Sequence, residues 1–212
     1  MKLYLSPRAP SPRRVTVFLA EKGITDLLGH GIEPIAVSIG NQEHQSEAYR
    51  AKSPQAKVPA LELGDGRVLT ETRALCTYFE GLFPEPNLMG VDATERAFIE
   101  MADRRIELYL MGTIANCIRH THPGLAALEQ PQFPDFGKSQ GEKMRPVARW
   151  LDDTLSKQNY VAGDRFTVAD ITTFIALEFA RGLMKFNPGE EGLQHLQAYQ
   201  DRWLDRPSAQ IK

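Results

Sequence analysis

Apolar and polar positions alternate along the first third of the chain and recur at helical spacing along the rest. Leu3-Tyr4-Leu5 reads as a short strand, and Val15, Phe18 and Leu19 mark one face of a helix that Gly23 stops. Pro34 to Ile39, weakly alternating and rich in β-branched residues, predicts a second strand, followed by a polar, irregular segment from Gly40 to Pro54. Ala60-Leu61-Glu62-Leu63 and Arg67-Val68-Leu69 flank Gly64-Asp65-Gly66, the pattern of a hairpin with an Asp-Gly turn. Thr72 to Phe83 closes the unit as a helix, so the predicted order is βαβ-α-ββα.

Beyond residue 83 only helical patterns occur. Pro84-Glu85-Pro86-Asn87 disfavours helix on either side and reads as a linker. From Asp92 to His122 the pattern is helical, with Ile99, Ala102, Ile106, Tyr109 and Leu110 in one apolar stripe, and Pro123-Gly124 ends it. Gln130 to Gly137, rich in proline and phenylalanine, reads as a loop before Val147, Trp150, Leu151 and Leu155 resume helical spacing. Val168 to Met184 is apolar almost all round, which describes a helix buried at the centre of a bundle. Thr167 and Asp170 supply the two halves of a capping box at its start, with Phe166 just before the cap. The chain therefore divides into an α/β unit over 1–82, a linker over 83–91 and an all-helical unit over 92–212.

Charge narrows the partners. The 25 Lys and Arg are dispersed among 27 Asp and Glu, which gives no basic stripe of the kind nucleic acid requires and leaves small molecules or proteins as partners. Met1-Lys2-Leu3-Tyr4-Leu5 stops at Ser6-Pro7, too short for a signal peptide or a membrane span, so a cytoplasmic location and no membrane partner are expected. Cys76 and Cys117 lie on separate helical patterns, and the histidines at 30, 44, 120, 122 and 195 show no ligand spacing, so neither a disulfide nor a metal is expected.

Two short motifs carry the chemistry. In Lys57-Val58-Pro59-Ala60-Leu61 a cis bond at Pro59, at the mouth of a strand, would turn the Val58 N–H and C=O outward to pair with an extended peptide. In Glu71-Thr72-Arg73-Ala74 the acid can accept from a cationic amine while the first N–H groups of the next helix receive a carboxylate. One short site would then hold both ends of a γ-glutamate zwitterion, which points to glutathione. Each motif by itself is an ordinary strand start or helix start; their order and spacing carry the reading.

Lys2 to Gly23, Pro54 to Leu61, Glu71 to Ala74 and Ala162 to Ile171 together resemble the cytosolic glutathione transferase family. The loop Ala9-Pro10-Ser11-Pro12-Arg13-Arg14 is most similar to bacterial, nu-like or theta/delta-like members. The resemblance implies a thioredoxin-like glutathione-binding domain followed by an all-helical domain, glutathione as co-substrate, a small hydrophobic electrophile as second substrate, a homodimer and a role in detoxification. It places the electrophile pocket between the first-domain loops and the first long helix of the second domain, where Met101, Arg105 and Tyr109 line a wall or belong to the core, and it brings Asp103 toward a partner subunit. A thiol titrating near 8.5 must be helped to ionise at neutral pH, which a hydroxyl can do by donating to sulfur beside a helix N-terminus. Ala9 stands where theta-like and delta-like members carry a serine, while Ser11 matches the nu-like position of an asparagine that reaches the sulfur. Ser11 is thus the candidate thiol donor, with Ser6 second, although Ser11-Pro12 also reads as an N-cap followed by proline. Arg13 and Arg14 read as a solvated helix face. Val58, Pro59, Glu71 and Thr72 would hold the peptide, and His44, Gln45 and Lys57 either bind the glycyl carboxylate or form a polar loop. Three functions stay open: a transferase, a glutathione-dependent disulfide or peroxide reductase, and a non-catalytic binding or stress-response module. A zeta-type isomerase is disfavoured because its Ser-Ser-Cys loop is absent.

Overall fold

The computed structural model describes residues 1–7 and 9–211, and the chain forms two compact units. The first contains β1 (Lys2–Leu5), α1 (Pro10–Glu21), β2 (Glu33–Ala36), α2 (Glu47–Arg50), β3 (Ala60–Glu62), β4 (Val68–Thr70) and α3 (Thr72–Leu82). The order is the predicted one, and the sheet runs β2-β1-β3-β4, with β1 parallel to β2 and antiparallel to β3. Leu3, Val15, Phe18, Leu19, Leu61, Leu75 and Phe79 are wholly buried between the sheet and helices α1 and α3. The glycine stop forms as expected: Gly23 takes φ +77°, and the Ile24 N–H reaches back to the Leu19 carbonyl at 2.8 Å.

Two basic residues of α1 do work that its pattern did not announce. Arg14 is buried rather than solvated. Lys22 has a fully buried side chain that pairs with Glu80, lies over the Phe18 ring and donates to the Pro86 carbonyl at 2.7 Å, so a buried cation pins the proline-rich segment to the end of α1. Residues from Pro207 onward also pack with this first unit.

The second unit contains α4 (Ala93–Arg105), a π-helical stretch (Ile106–Met111), α5 (Gly112–Thr121), α6 (Pro134–Leu155), α7 (Val168–Met184) and α8 (Gln194–Leu204). The long helical pattern is therefore three segments in series, and the wider π turns swing Tyr109 out of the stripe to 58% exposure, while Ile99, Ala102, Ile106 and Leu110 stay buried. Met101 and Arg105 are exposed as well. Asp103 is fully buried and accepts the Thr172 hydroxyl at 2.5 Å, so it belongs to the interior of this unit rather than to a subunit contact. The expected loop at Gln130 to Gly137 is helical from Pro134, which opens α6 at its first position, and α6 carries Pro146 within its length. Proline was read as a breaker where it starts one helix and is tolerated inside it.

Helix α7 is buried on nearly all sides, and its capping box closes as predicted. Asp170 is completely buried and accepts from the Val161 N–H at 2.9 Å, the Thr167 N–H at 2.8 Å, the Thr167 hydroxyl at 3.1 Å and the Tyr199 hydroxyl at 2.8 Å. Burial outweighs these four donors and pushes its carboxyl from an ordinary 3.8 up to about 6. The folded state thus holds the proton more tightly than the unfolded chain, a contribution to stability present in full below about pH 3.8 and lost as pH rises through about 6. Relative to Asp170→Asn, the parent should lose on the order of 2–3 kcal/mol of stability between pH 4 and pH 7, read by chemical denaturation. A difference that does not change with pH would show that the carboxyl is ionised throughout.

Candidate active site

The hairpin register gathers the two motifs. Ala60 faces Thr70 across β3 and β4, so Val58 and Pro59 enter, and Glu71 and Thr72 leave, at the same end of the hairpin. The Val58–Pro59 bond is cis. Pro59 is buried, and the Val58 side chain packs against Tyr4, Val37, Tyr49 and Ala60. Just before them, the Lys57 carbonyl accepts from the Tyr49 hydroxyl at 2.8 Å and the Ser53 hydroxyl at 2.9 Å, and the Ser53 oxygen takes the Lys57 N–H at 3.2 Å. Burial first, then the neighbouring Tyr4, push the Tyr49 phenol to about 12, which keeps it a neutral donor. With its entry clamped this way, the Val58 backbone joins no backbone hydrogen bond among the described residues. A peptide edge is left for an extended ligand.

Glu71, exposed, bridges β4 and α3 at φ +68°, a conformation that costs a residue with a side chain about 1–3 kcal/mol. It occupies the N-cap position of α3 without a side-chain cap, so its carboxylate is not spent on the first-turn N–H groups of that helix. Thr72, by contrast, is buried and directs its hydroxyl to the Ser11 carbonyl at 3.4 Å, which brings the start of α3 against the start of α1.

Ser11 is not the cap of α1. Ala9 holds that position with no side-chain acceptor, Pro10 and Pro12 occupy the first and third helical positions, and Ser11 lies between them, half-buried. Neither proline has an N–H, the Arg13 N–H is taken by the Ala9 carbonyl at 3.2 Å, and the Ala9 N–H by the Ser6 carbonyl at 3.2 Å. Ser11 is consequently the residue of this first turn that keeps two donors, its N–H and its hydroxyl, for an anion. The buried Ser6 lies immediately after β1, its carbonyl engaged by Ala9.

His44 is buried in a one-turn 3-10 segment (Glu43–Gln45) and its imidazole has no hydrogen-bond partner at Nδ1. Burial, followed by the Lys57 and Arg50 cations, lowers its pKa, so it is neutral at pH 7. Gln45 is exposed and engaged with the Arg50 guanidinium through its side-chain oxygen. Arg50 is thus a basic member of this loop that the sequence reading missed; it sits five residues past Gln45 in what looked like irregular chain. Met101, Arg105, Tyr109 and Asp103 lie in the other unit and are not brought to these residues by anything described in the first.

Residues 3–87 match the family described as glutathione S-transferase, N-terminal domain, and residues 121–207 the one described as glutathione S-transferase, C-terminal domain. Glutathione S-transferase 2 of Saccharomyces cerevisiae is 33% identical over 209 residues, 98% of this chain and 87% of that protein. The chain belongs to the glutathione S-transferase family. The crystal structure of a glutathione S-transferase domain-containing protein from Marinobacter aquaeolei shares the fold with a TM-score of 0.91 and 39% identity, covering 98% of this chain and 99% of that one. Family membership also extends to a protein of another name: maleylacetoacetate isomerase of Pseudomonas aeruginosa is 37% identical over 178 residues, 81% of this chain and 77% of that protein. Among the described residues no helix is long and apolar enough to cross a membrane.

The strained Glu71 backbone yields a test independent of any ligand. Glycine adopts positive φ without a Cβ penalty, so Glu71→Gly should gain about 1 kcal/mol of stability, roughly 2–4 °C in melting temperature for a chain of this size. A lower melting temperature for that variant would show that the φ of Glu71 is not strained.

Proposed function

We propose that this chain is a glutathione transferase that conjugates the glutathione thiolate to a small hydrophobic electrophile. The observation that carries the reading is the junction of α1 and α3: the Thr72 hydroxyl meets the Ser11 carbonyl, so the uncapped start of α3, the Glu71 carboxylate and the two Ser11 donors share one neighbourhood with the Val58 edge. Glu71 takes the γ-glutamyl amine, and the first N–H groups of α3 take its carboxylate. Val58 and Pro59 present the peptide edge that pairs with the cysteinyl backbone. Lys57, His44 and Gln45, with Arg50 beside them, face the glycyl carboxylate as a basic loop.

Ser11 is not basic enough to remove the thiol proton at pH 7. Its N–H and hydroxyl instead donate to the sulfur and favour the thiolate, so the proton leaves to solvent before the sulfur attacks the electrophilic carbon. Departure from the usual serine at position 9 is thereby offset within the same turn. Membership of the family further supports a homodimer in the cytoplasm acting in detoxification, with no metal in the reaction.

The isomerase relative favours a second reading, in which glutathione adds to an unsaturated diketo acid and is released again. The two differ in stoichiometry, since conjugation consumes glutathione and isomerisation does not. Steady-state assays with an aryl halide, a disulfide and maleylacetoacetate separate conjugation, reduction and isomerisation; silence in all three with glutathione bound would overturn the transferase reading in favour of a binding module.

Two substitutions test the residues. Ser11→Ala should raise the pKa of the bound thiol by roughly one to two units and slow conjugation most near neutral pH, as read by thiolate absorbance; an unmoved titration rejects Ser11 as the donor. Glu71→Ala should weaken glutathione binding roughly ten- to a hundredfold by calorimetry, the value of a charge-assisted partner, and an unchanged affinity removes Glu71 from the site.

A further inference from the structure

We propose that Arg13 is a positioning residue, and that the segment from Pro207 to Ile211 is a strap that holds the first turn of α1 in place for the bound thiol. Arg13 Nε donates to the Ile211 carbonyl at 3.1 Å and its Nη2 to the Ala209 carbonyl at 3.0 Å. One turn of guanidinium geometry thus grips two carbonyls of one short stretch, a forked contact that lysine cannot reproduce. At the other end of the helix the Ser208 hydroxyl meets the Glu21 carboxylate, so the same stretch holds α1 at both ends. Ser208 and Ala209 are buried against it.

The first turn needs such a hold. Its N-cap carries no side-chain acceptor, prolines at the first and third positions remove two N–H groups, and the run of wholly buried α1 side chains begins only at Val15. The 3.4 Å bond from Thr72 to the Ser11 carbonyl is long for a hydroxyl donor. Arg13, two residues past Ser11, supplies the shortest side-chain tethers within that turn. Displacing the strap frees the turn to fray, which moves the Ser11 donors away from any sulfur they serve. This inference rests on the α1 start being the donor to the thiol.

The test compares four full-site measurements on the parent, Arg13→Ala, a chain ending at Arg206, and the two changes combined: the ultraviolet titration of the bound thiol, KM for glutathione, kcat with an aryl halide, and melting temperature. Arg13→Ala and the shortened chain should each raise the titration midpoint and raise KM for glutathione, roughly tenfold for two lost charge-assisted bonds, and the combination should do no more than either alone. Additive effects, or an effect of Arg13→Ala that the shortened chain lacks, would mean that Arg13 touches the ligand directly and would overturn the strap. If the shortened chain does not fold, Ser208→Ala takes its place, with a smaller shift in the same direction expected and none counting against the proposal. Ser11→Ala separates the two ideas: a titration moved by Arg13→Ala but not by Ser11→Ala sinks Ser11 as donor and keeps the strap, and the reverse sinks the strap alone.

Discussion

The antiparallel register that sets Ala60 opposite Thr70 is the constraint from which the first unit's chemistry follows. A hairpin has two open chain ends on one side, and here both carry unusual backbone: a cis bond entering β3 and a positive φ leaving β4. Because side chains alternate along a strand, slipping this register by one residue would send Leu61 out of the core and separate the two motifs at once. Hydrophobic burial therefore enforces the placement of polar groups that themselves contribute little to stability. The clamp on the Lys57 carbonyl by Tyr49 and Ser53 extends that enforcement to the loop, since a buried neutral phenol has few other acceptors to choose.

The helical unit uses the opposite arrangement, with charge-bearing groups set inside an apolar interior. Asp170 gathers donors from the loop before α7, the cap itself and α8, and Asp103 ties α4 to α7 through Thr172. Each is costly to bury and costlier to leave unmatched, so alternative packings that break these contacts are strongly disfavoured. Specificity of packing, rather than net stabilisation, is what such buried acids contribute.

Much of this was legible in the sequence because the signals were local. The Gly23 stop, the Asp-Gly hairpin, the Val58-Pro59 motif and the Thr167 to Asp170 box each span a few residues whose physics is self-contained. What escaped was either long-range or ambiguous. Arg13 looked solvated because its partners lie nearly two hundred residues later, and Asp103 looked available because Thr172 is 69 residues on. Proline misled in both directions: Ser11-Pro12 suggested a cap when Pro10 had already begun the helix, and Pro134 and Pro146 concealed the first half of α6. Positive φ at Glu71 had no signal at all, since nothing about glutamate announces it.

The π-helical stretch from Ile106 to Met111 makes chain length itself a structural property. Widened turns are what a helix does with a surplus residue, and here the surplus is absorbed between two ordinary α-helices whose buried faces are phased separately. Each residue advances a helix by about 100°, so losing one residue there would let the turns tighten and rotate everything after it. Ile114, Cys117 and Ile118 would leave the interior together. Substitution can be absorbed one side chain at a time, but in this segment the count of residues cannot change without the whole of α5 changing face.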